Sequence, residues 1–227
     1  MTDRQQTKFG SFSPTAAEQP TVTRWWWVRH APVIDGEGRL YGQEDLDCDI
    51  SDFPRFQALA RHLPKDAMWI VTNLSRTHKT AQGIRDAGIS GPEFVIETDF
   101  AEQFFGDWQG LTWAEMESLN KTAYEEFWQN PSGNAPPKGE SFADLIGRTA
   151  PAVEKLTARF TGRDIVCVAH GGSIRAAVAQ ALDLHHERGL SISIDTLSLT
   201  RIDHVEGGVL NGKGKVWRVG GINAVIR

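Results

Sequence analysis

Four short apolar runs dominate this sequence, and polar chemistry follows each of them. They are residues 22–28 (VTRWWWV), 68–72 (MWIVT), 94–98 (FVIET) and 165–169 (IVCVA). Runs this short, rich in β-branched and aromatic residues, read as strands buried on both faces. Helical spacing occupies residues 51–63, 76–87, 112–129, 141–160 and 173–182. Ser51 or Asp52 caps the first of these, and Gly88 stops the second. Thr112 with Glu115 opens the third as a capping box, and Ser141 with Asp144 starts the fourth, which Pro151 is expected to kink. Residues 191–202 alternate as a late strand, and 215–219 would pair with it. Strand–helix alternation predicts an α/β chain with a mostly parallel sheet, helices on both faces and an antiparallel edge.

Composition narrows the class. The chain has 227 residues, 40% of them hydrophobic and 23% charged, which excludes fibrous and wholly disordered readings. No apolar run approaches the roughly 20 residues that span a bilayer, so no membrane partner is expected. The formal charge of -5 lacks the basic surplus of a nucleic-acid binder. Two cysteines, Cys48 and Cys167, cannot build a disulfide framework, and a cytoplasmic setting is the expectation. Residues 1–20 are polar and aperiodic, with no apolar signal segment, and read as a mobile tail. Residues 21–227 read as one domain.

In an open α/β sheet, ligands bind beyond the carboxyl ends of the strands. There the first run ends in Arg29-His30, the second leads to Arg76, the third to Glu102, and the fourth to His170-Gly171-Gly172. Two arginines offer planar forks suited to the oxygens of a phosphomonoester. A neutral imidazole can attack phosphorus and form a phosphohistidine. A second imidazole can bond oxygens on which charge redistributes, and a carboxyl can give a proton to the leaving alkoxide and take one from water. Taken singly, each residue also has a plain structural reading: a strand-end histidine, a solvated arginine, a loop acid. Their shared rim argues for function. Arg29 and His30 can converge only if the strand ends between them.

These residues resemble the histidine phosphatase superfamily, in its phosphoglycerate-mutase-like branch. The matching pieces are Val28-Arg29-His30, Ser75-Arg76-Thr77 with Thr80-Ala81, and Glu102 with Gly106, Trp108 and Gly110. They continue with Gly139-Glu140-Ser141, Arg148, and Ala169 through Arg175. The resemblance implies a three-layer α/β/α sandwich, with His30 as the phosphorylated nucleophile. It makes Arg29, Arg76 and His170 the phosphate pocket and Glu102 the proton donor, and it implies no metal or other cofactor. Two positions depart from the family pattern. Ala31 stands where a glycine is usual, and the spacing of a later asparagine lands on Gly36. Gln43 is the candidate to complete the pocket. The stretch from Leu40 to Asp47 is similar to alpha-ribazole phosphatase-like members.

The expected function is therefore a metal-independent hydrolase of a small phosphomonoester. A phosphoglycerate-type mutase is the first alternative. It would have to hold a second phosphate, yet residues 111–139 contain no arginine and more acid than base. A catalytically impaired phosphate-binding domain is the second alternative, although none of the five site residues is missing. Trp25, Trp26 and Trp27 read as core, while Trp108 and Trp113 could stack on an aromatic leaving group. His185-His186 reads as a helix-end pair rather than a metal site. Exposed tryptophans could support a homodimer.

Overall fold

Thr21–Arg29 forms β1, whose side chains alternate between two cores. Trp25 and Trp27 point to one side and stack with ring centroids 5.0 Å apart. Trp26 and Val28 point to the other. In this computed structural model, residues 19–36, 38–207 and 214–226 are described. Of the expected tail, residues 1–18 lie outside the described residues.

After a two-residue strand β2 (Arg39–Leu40), α1 (Phe53–His62) begins at an Asp52 cap whose carboxylate accepts from the Arg55 N–H. Then come β3 (Met68–Val71), α2 (Ser75–Asp86) and the short β4 (Val95–Ile96). The strand expected over residues 94–98 is cut to two residues, because Thr98–Phe100 turns into a 3-10 helix. Strand β5 (Leu111–Thr112) pairs antiparallel with β2.

The single helix expected over residues 112–129 is two, α3 (Trp113–Leu119) and α4 (Lys121–Gln129). Asn120 breaks it: its backbone leaves the helical region, and its side chain caps α4 by accepting from the Ala123 N–H. The capping box of Thr112 and Glu115 forms as expected. Helix α5 (Phe142–Arg159) opens on the Ser141–Asp144 box and runs on through Pro151. Strand β6 (Asp164–Ala169), α6 (Gly171–Ala181) and the short α7 (His186–Leu190) follow. The late strand, β7 (Ser198–Glu206), starts after residues 191–197, which are not strand as expected; it pairs antiparallel with β8 (Lys215–Val225).

The main sheet has the order β4-β3-β6-β1-β7-β8. The first four strands are parallel, and β7 and β8 form the antiparallel edge. On one face, α1 and α2 pack Phe56, Leu59 and Ile84 against Trp69, Val71, Val166 and Val168. On the other face, α5 and α6 pack Val153, Leu156 and Val178 against Trp25, Trp27 and Cys167. This is the three-layer sandwich. Its central strands are β6 and β1, so the carboxyl ends of those two strands, Ala169 and Arg29, lie side by side. Trp108, Met116 and Phe127 form a smaller core under α3 and α4.

Candidate active site

The site begins where β1 stops. Arg29 is its last residue, and His30 has left the ladder, although its N–H still donates to Ala169 O at 2.9 Å. That ending lets two consecutive side chains serve one site. His30 is 1% exposed, and its Nδ1 donates to Ala31 O at 2.7 Å. A carbonyl can only accept, so the proton sits on Nδ1 and the lone pair on Nε2. Burial, followed by the positive charge of Arg76, lowers the pKa of His30 to about 3. The ring is therefore neutral at physiological pH, with the lone pair on Nε2.

His170 caps α6 just beyond β6 and is fully buried. Its ring centroid lies 5.2 Å from that of His30. Its Nε2 meets Thr72 Oγ1 at 3.0 Å, while Nδ1 is buried with no partner. Burial, then the charges of His30 and Arg76, push its pKa well below the usual imidazole range. Thr72, at the end of β3, was not singled out in the sequence. Its place at the end of the apolar run 68–72 was the available signal.

Arg76 comes from the first turn of α2 and is 0% exposed, not the surface residue that its position alone would suggest. Its Nη1 and Nη2 donate to Glu44 O and Gly42 O, each at 2.6 Å. Its Nε is buried without a partner, as is Arg29 Nε. Arg29 is anchored through Nη1 to Ile194 O at 2.6 Å. Thus Arg29 Nε, Arg76 Nε and His170 Nδ1 are three buried nitrogens, unpartnered among the described residues, within the group that surrounds His30. Buried polar groups are rarely left so, and a small anion would satisfy them.

Glu102 reaches the start of α6, where its Oε1 accepts from the Gly172 N–H at 3.0 Å. A Cβ at Gly172 would overlap that oxygen, so only glycine leaves room. The Glu102 backbone is braced. Its carbonyl accepts from Arg148 Nη2 at 2.9 Å and from Gln43 Nε2 at 2.8 Å. Arg148 also forms a bidentate pair with Glu140, at 3.0 and 2.6 Å. Gln43 therefore enters the site through the backbone of Glu102. Arg148 and Glu140, quoted in the family resemblance, prove to be supports of the Glu102 loop.

Ala31 donates its N–H to Thr80 Oγ1 at 2.9 Å and belongs to the core cluster under α1 and α2. Its methyl group packs in that core, which explains why alanine is tolerated where glycine is usual. Gly36 lies against the Tyr41 ring. A cavity of about 210 Å³ opens beside Arg29, Gly42, Glu102 and Gly172, with Arg39, Phe142 and Arg175 on its wall. Trp108 is buried in the smaller core, and Trp113 lies tilted against Trp128 with ring centroids 5.7 Å apart; neither lines that cavity. His186 Nδ1 pairs with Ser132 Oγ at 2.8 Å, and among the described residues no group of three or more His, Cys, Asp or Glu could hold a metal.

The model of the histidine phosphatase superfamily, branch 1, matches residues 25–211. The chain belongs to this superfamily. A glucosyl-3-phosphoglycerate phosphatase of Mycolicibacterium vanbaalenii is 34% identical over 177 residues, 72% of this chain and 76% of its own. A metal-independent phosphoserine phosphatase of Arabidopsis thaliana is 30% identical, with 68% and 67% covered. Among solved structures, a mycobacterial glucosyl-3-phosphoglycerate phosphatase superposes with a TM-score of 0.73 at 27% identity, covering 89% of this chain and 99% of the other. The alpha-ribazole phosphatase of Shigella flexneri, 20% identical with a TM-score of 0.72 and 89% and 97% covered, shares the fold. This chain is a phosphatase of the superfamily, for which a phosphohistidine intermediate is general.

Proposed function

We propose that His30 is the residue that is phosphorylated, that Arg29, Arg76 and His170 hold the phosphoryl group, and that Glu102 moves the proton. The observation that carries this reading is the set of three unpartnered buried nitrogens grouped with an imidazole whose Nδ1 is already committed to a carbonyl. His30 Nε2 attacks phosphorus and the P–O ester bond breaks. The electron pair leaves with the alkoxide, which takes the Glu102 proton. Water then attacks the phosphohistidine and yields its proton to the Glu102 carboxylate. The N–P bond breaks, its electron pair returns to Nε2, and inorganic phosphate departs. Throughout, Ala31 O holds the Nδ1 proton, so the attacking nitrogen is always the same one. Gln43, Arg148 and Glu140 keep the Glu102 carboxyl at the ester oxygen.

Relatives named for glucosyl-3-phosphoglycerate and phosphoserine support a small, polar phosphomonoester as substrate. Hydrolysis is favoured over mutase transfer, since residues 111–139 supply no arginine for a second phosphate. A cytoplasmic setting fits two free, buried cysteines, and among the described residues no helix is long and apolar enough to cross a membrane. The surface that would carry a homodimer is the patch of Trp113 and Trp128, 48% and 47% exposed. The test is hydrolysis of para-nitrophenyl phosphate with a chelator present. The wild-type protein should release phosphate and His30→Ala should not. Equal rates for the two would overturn the assignment of the nucleophile.

A further inference from the structure

Residues 192–197 belong to no helix or strand, yet three guanidinium groups end on them. Arg175 Nε donates to Ile192 O, Arg29 Nη1 to Ile194 O and Arg55 Nη2 to Thr196 O, each at 2.6 Å. Arg55 comes from α1 on one face of the sheet, and Arg175 from α6 on the other. Arg29 is held twice, because its own carbonyl accepts from the Leu197 N–H at 3.0 Å. Leu197 sits at the third position of a turn closed by the Ser198 N–H on Asp195 O, and its φ of 56° lies in the left-handed region. A bulky, buried side chain is rare there and persists only where its surroundings enforce it.

A further restraint on this turn comes from the edge strand. Leu199 pairs with Ala224 and Arg201 with Gly221, so β8 sets two residues, Ile222 and Asn223, against Thr200 alone. Such a bulge re-aims a side chain. Asn223 takes the left-handed conformation, with φ of 55°, and its N–H donates to Thr200 Oγ1 at 3.1 Å. Its amide reaches Asp195 twice. Oδ1 accepts from the Asp195 N–H at 2.6 Å, and Nδ2 donates to Asp195 Oδ2 at 3.1 Å. The Asp195 N–H and the Ile194 carbonyl belong to one peptide unit, which is planar. Fixing the N–H from β8 therefore fixes the direction in which the carbonyl meets Arg29. Asn223 lies beyond residues 25–211, where the family match ends.

We propose that Asn223 is a positioning residue of the phosphate site, which aims the Arg29 guanidinium by clamping the Ile194–Asp195 peptide. This rests on the reading of Arg29 as a phosphate ligand. Asn223→Gly keeps the left-handed backbone and deletes only the amide. It should raise the KM for para-nitrophenyl phosphate and the inhibition constant of inorganic phosphate together, by roughly three- to tenfold, with kcat little changed. A merely structural role would lower the melting temperature and leave the phosphate constant at its wild-type value; that result, or a fall in kcat alone, would overturn the proposal. Linkage supplies a second measurement that needs no substitution, because phosphate held by an aimed Arg29 must in turn steady the clamp. Inorganic phosphate added to the wild type should slow hydrogen exchange in peptides covering residues 192–198 as well as residues 29–31. Slowing at 29–31 with none at 192–198 would overturn the clamp alone, even if Asn223→Gly fails to fold. Phosphate that neither inhibits the wild type nor slows its exchange would overturn the role of Arg29 and the clamp with it.

Discussion

A histidine is a poor phosphoryl acceptor when protonated, and most of the local chemistry around His30 keeps it neutral. Desolvation removes the water that would stabilise an imidazolium, and two guanidinium groups oppose a third positive charge. The carbonyl of Ala31 works in the other direction, yet by fixing the Nδ1 proton it aims the lone pair. Gly172 matters at the same scale, because its missing side chain is the space that the Glu102 carboxylate fills. Gly172→Ala should displace that carboxylate. The expected loss is about 10²-fold in kcat for alkyl phosphates, the low end of a general acid's contribution, and much less for para-nitrophenyl phosphate, whose leaving group needs little protonation. Steady-state kinetics on the two ester types checks this. Equal slowing would count against Glu102 as the acid.

Between the strands and the site stands a layer of supports that no single element supplies. Arg148 on α5 binds Glu140 and the carbonyls of Asp99, Ala101 and Glu102, and so ties the loop after β4 to the helix behind it. The ion pair is about one-fifth exposed on each side, so breaking it leaves a largely buried charge uncompensated. Arg148→Lys keeps the charge but loses the planar fork. It should lower kcat by roughly tenfold or more with KM little changed, since misplacing a catalytic group by about 1 Å is costly. Rate and KM measured on one good substrate decide it; a rise in KM alone would assign Arg148 to substrate binding.

The helix break at Asn120 belongs to this scale too. The apolar spacing of residues 112–129 is continuous, and only the packing of Met116 and Phe127 around Trp108 reveals that two short helices fit where one long helix would not.

Across the whole molecule, the parallel order of β4, β3, β6 and β1 gathers residues from distant parts of the chain at one edge. His30, Arg76, Glu102 and His170 were legible in the sequence because each follows an apolar run, and strand ends define the binding edge of such a sheet. Arg148, Glu140 and Thr72 were not legible as parts of the site, because their roles depend on which loop packs on which helix. The shortened β4 and the non-strand residues 191–197 were missed for a related reason. Period-two patterning persists there, but the backbone is committed elsewhere, as in the bond from the Leu197 N–H to Arg29 O.

Burying two neutral histidines also shapes global stability. An unfolded His30 takes a proton near pH 6.5, and the folded one only near pH 3. Between those values the unfolded state binds more protons, so stability should fall as the pH drops from about 6.5 toward 3. Urea unfolding at pH 7 and pH 5 should show this loss. His30→Asn, which removes the titrating ring, should show a smaller one. A variant with the same acid sensitivity as the wild type would mean that other groups set it.

The most direct measurement is capture of the covalent intermediate. The enzyme is mixed rapidly with a phosphomonoester, quenched in alkali to preserve a phosphoramidate, and digested for mass spectrometry. Phosphate should be found on the peptide containing His30, on that residue, within the first turnover, and it should be absent in His30→Ala. Full turnover with no phosphorylated histidine, or with the label on His170, would contradict the assignment of His30.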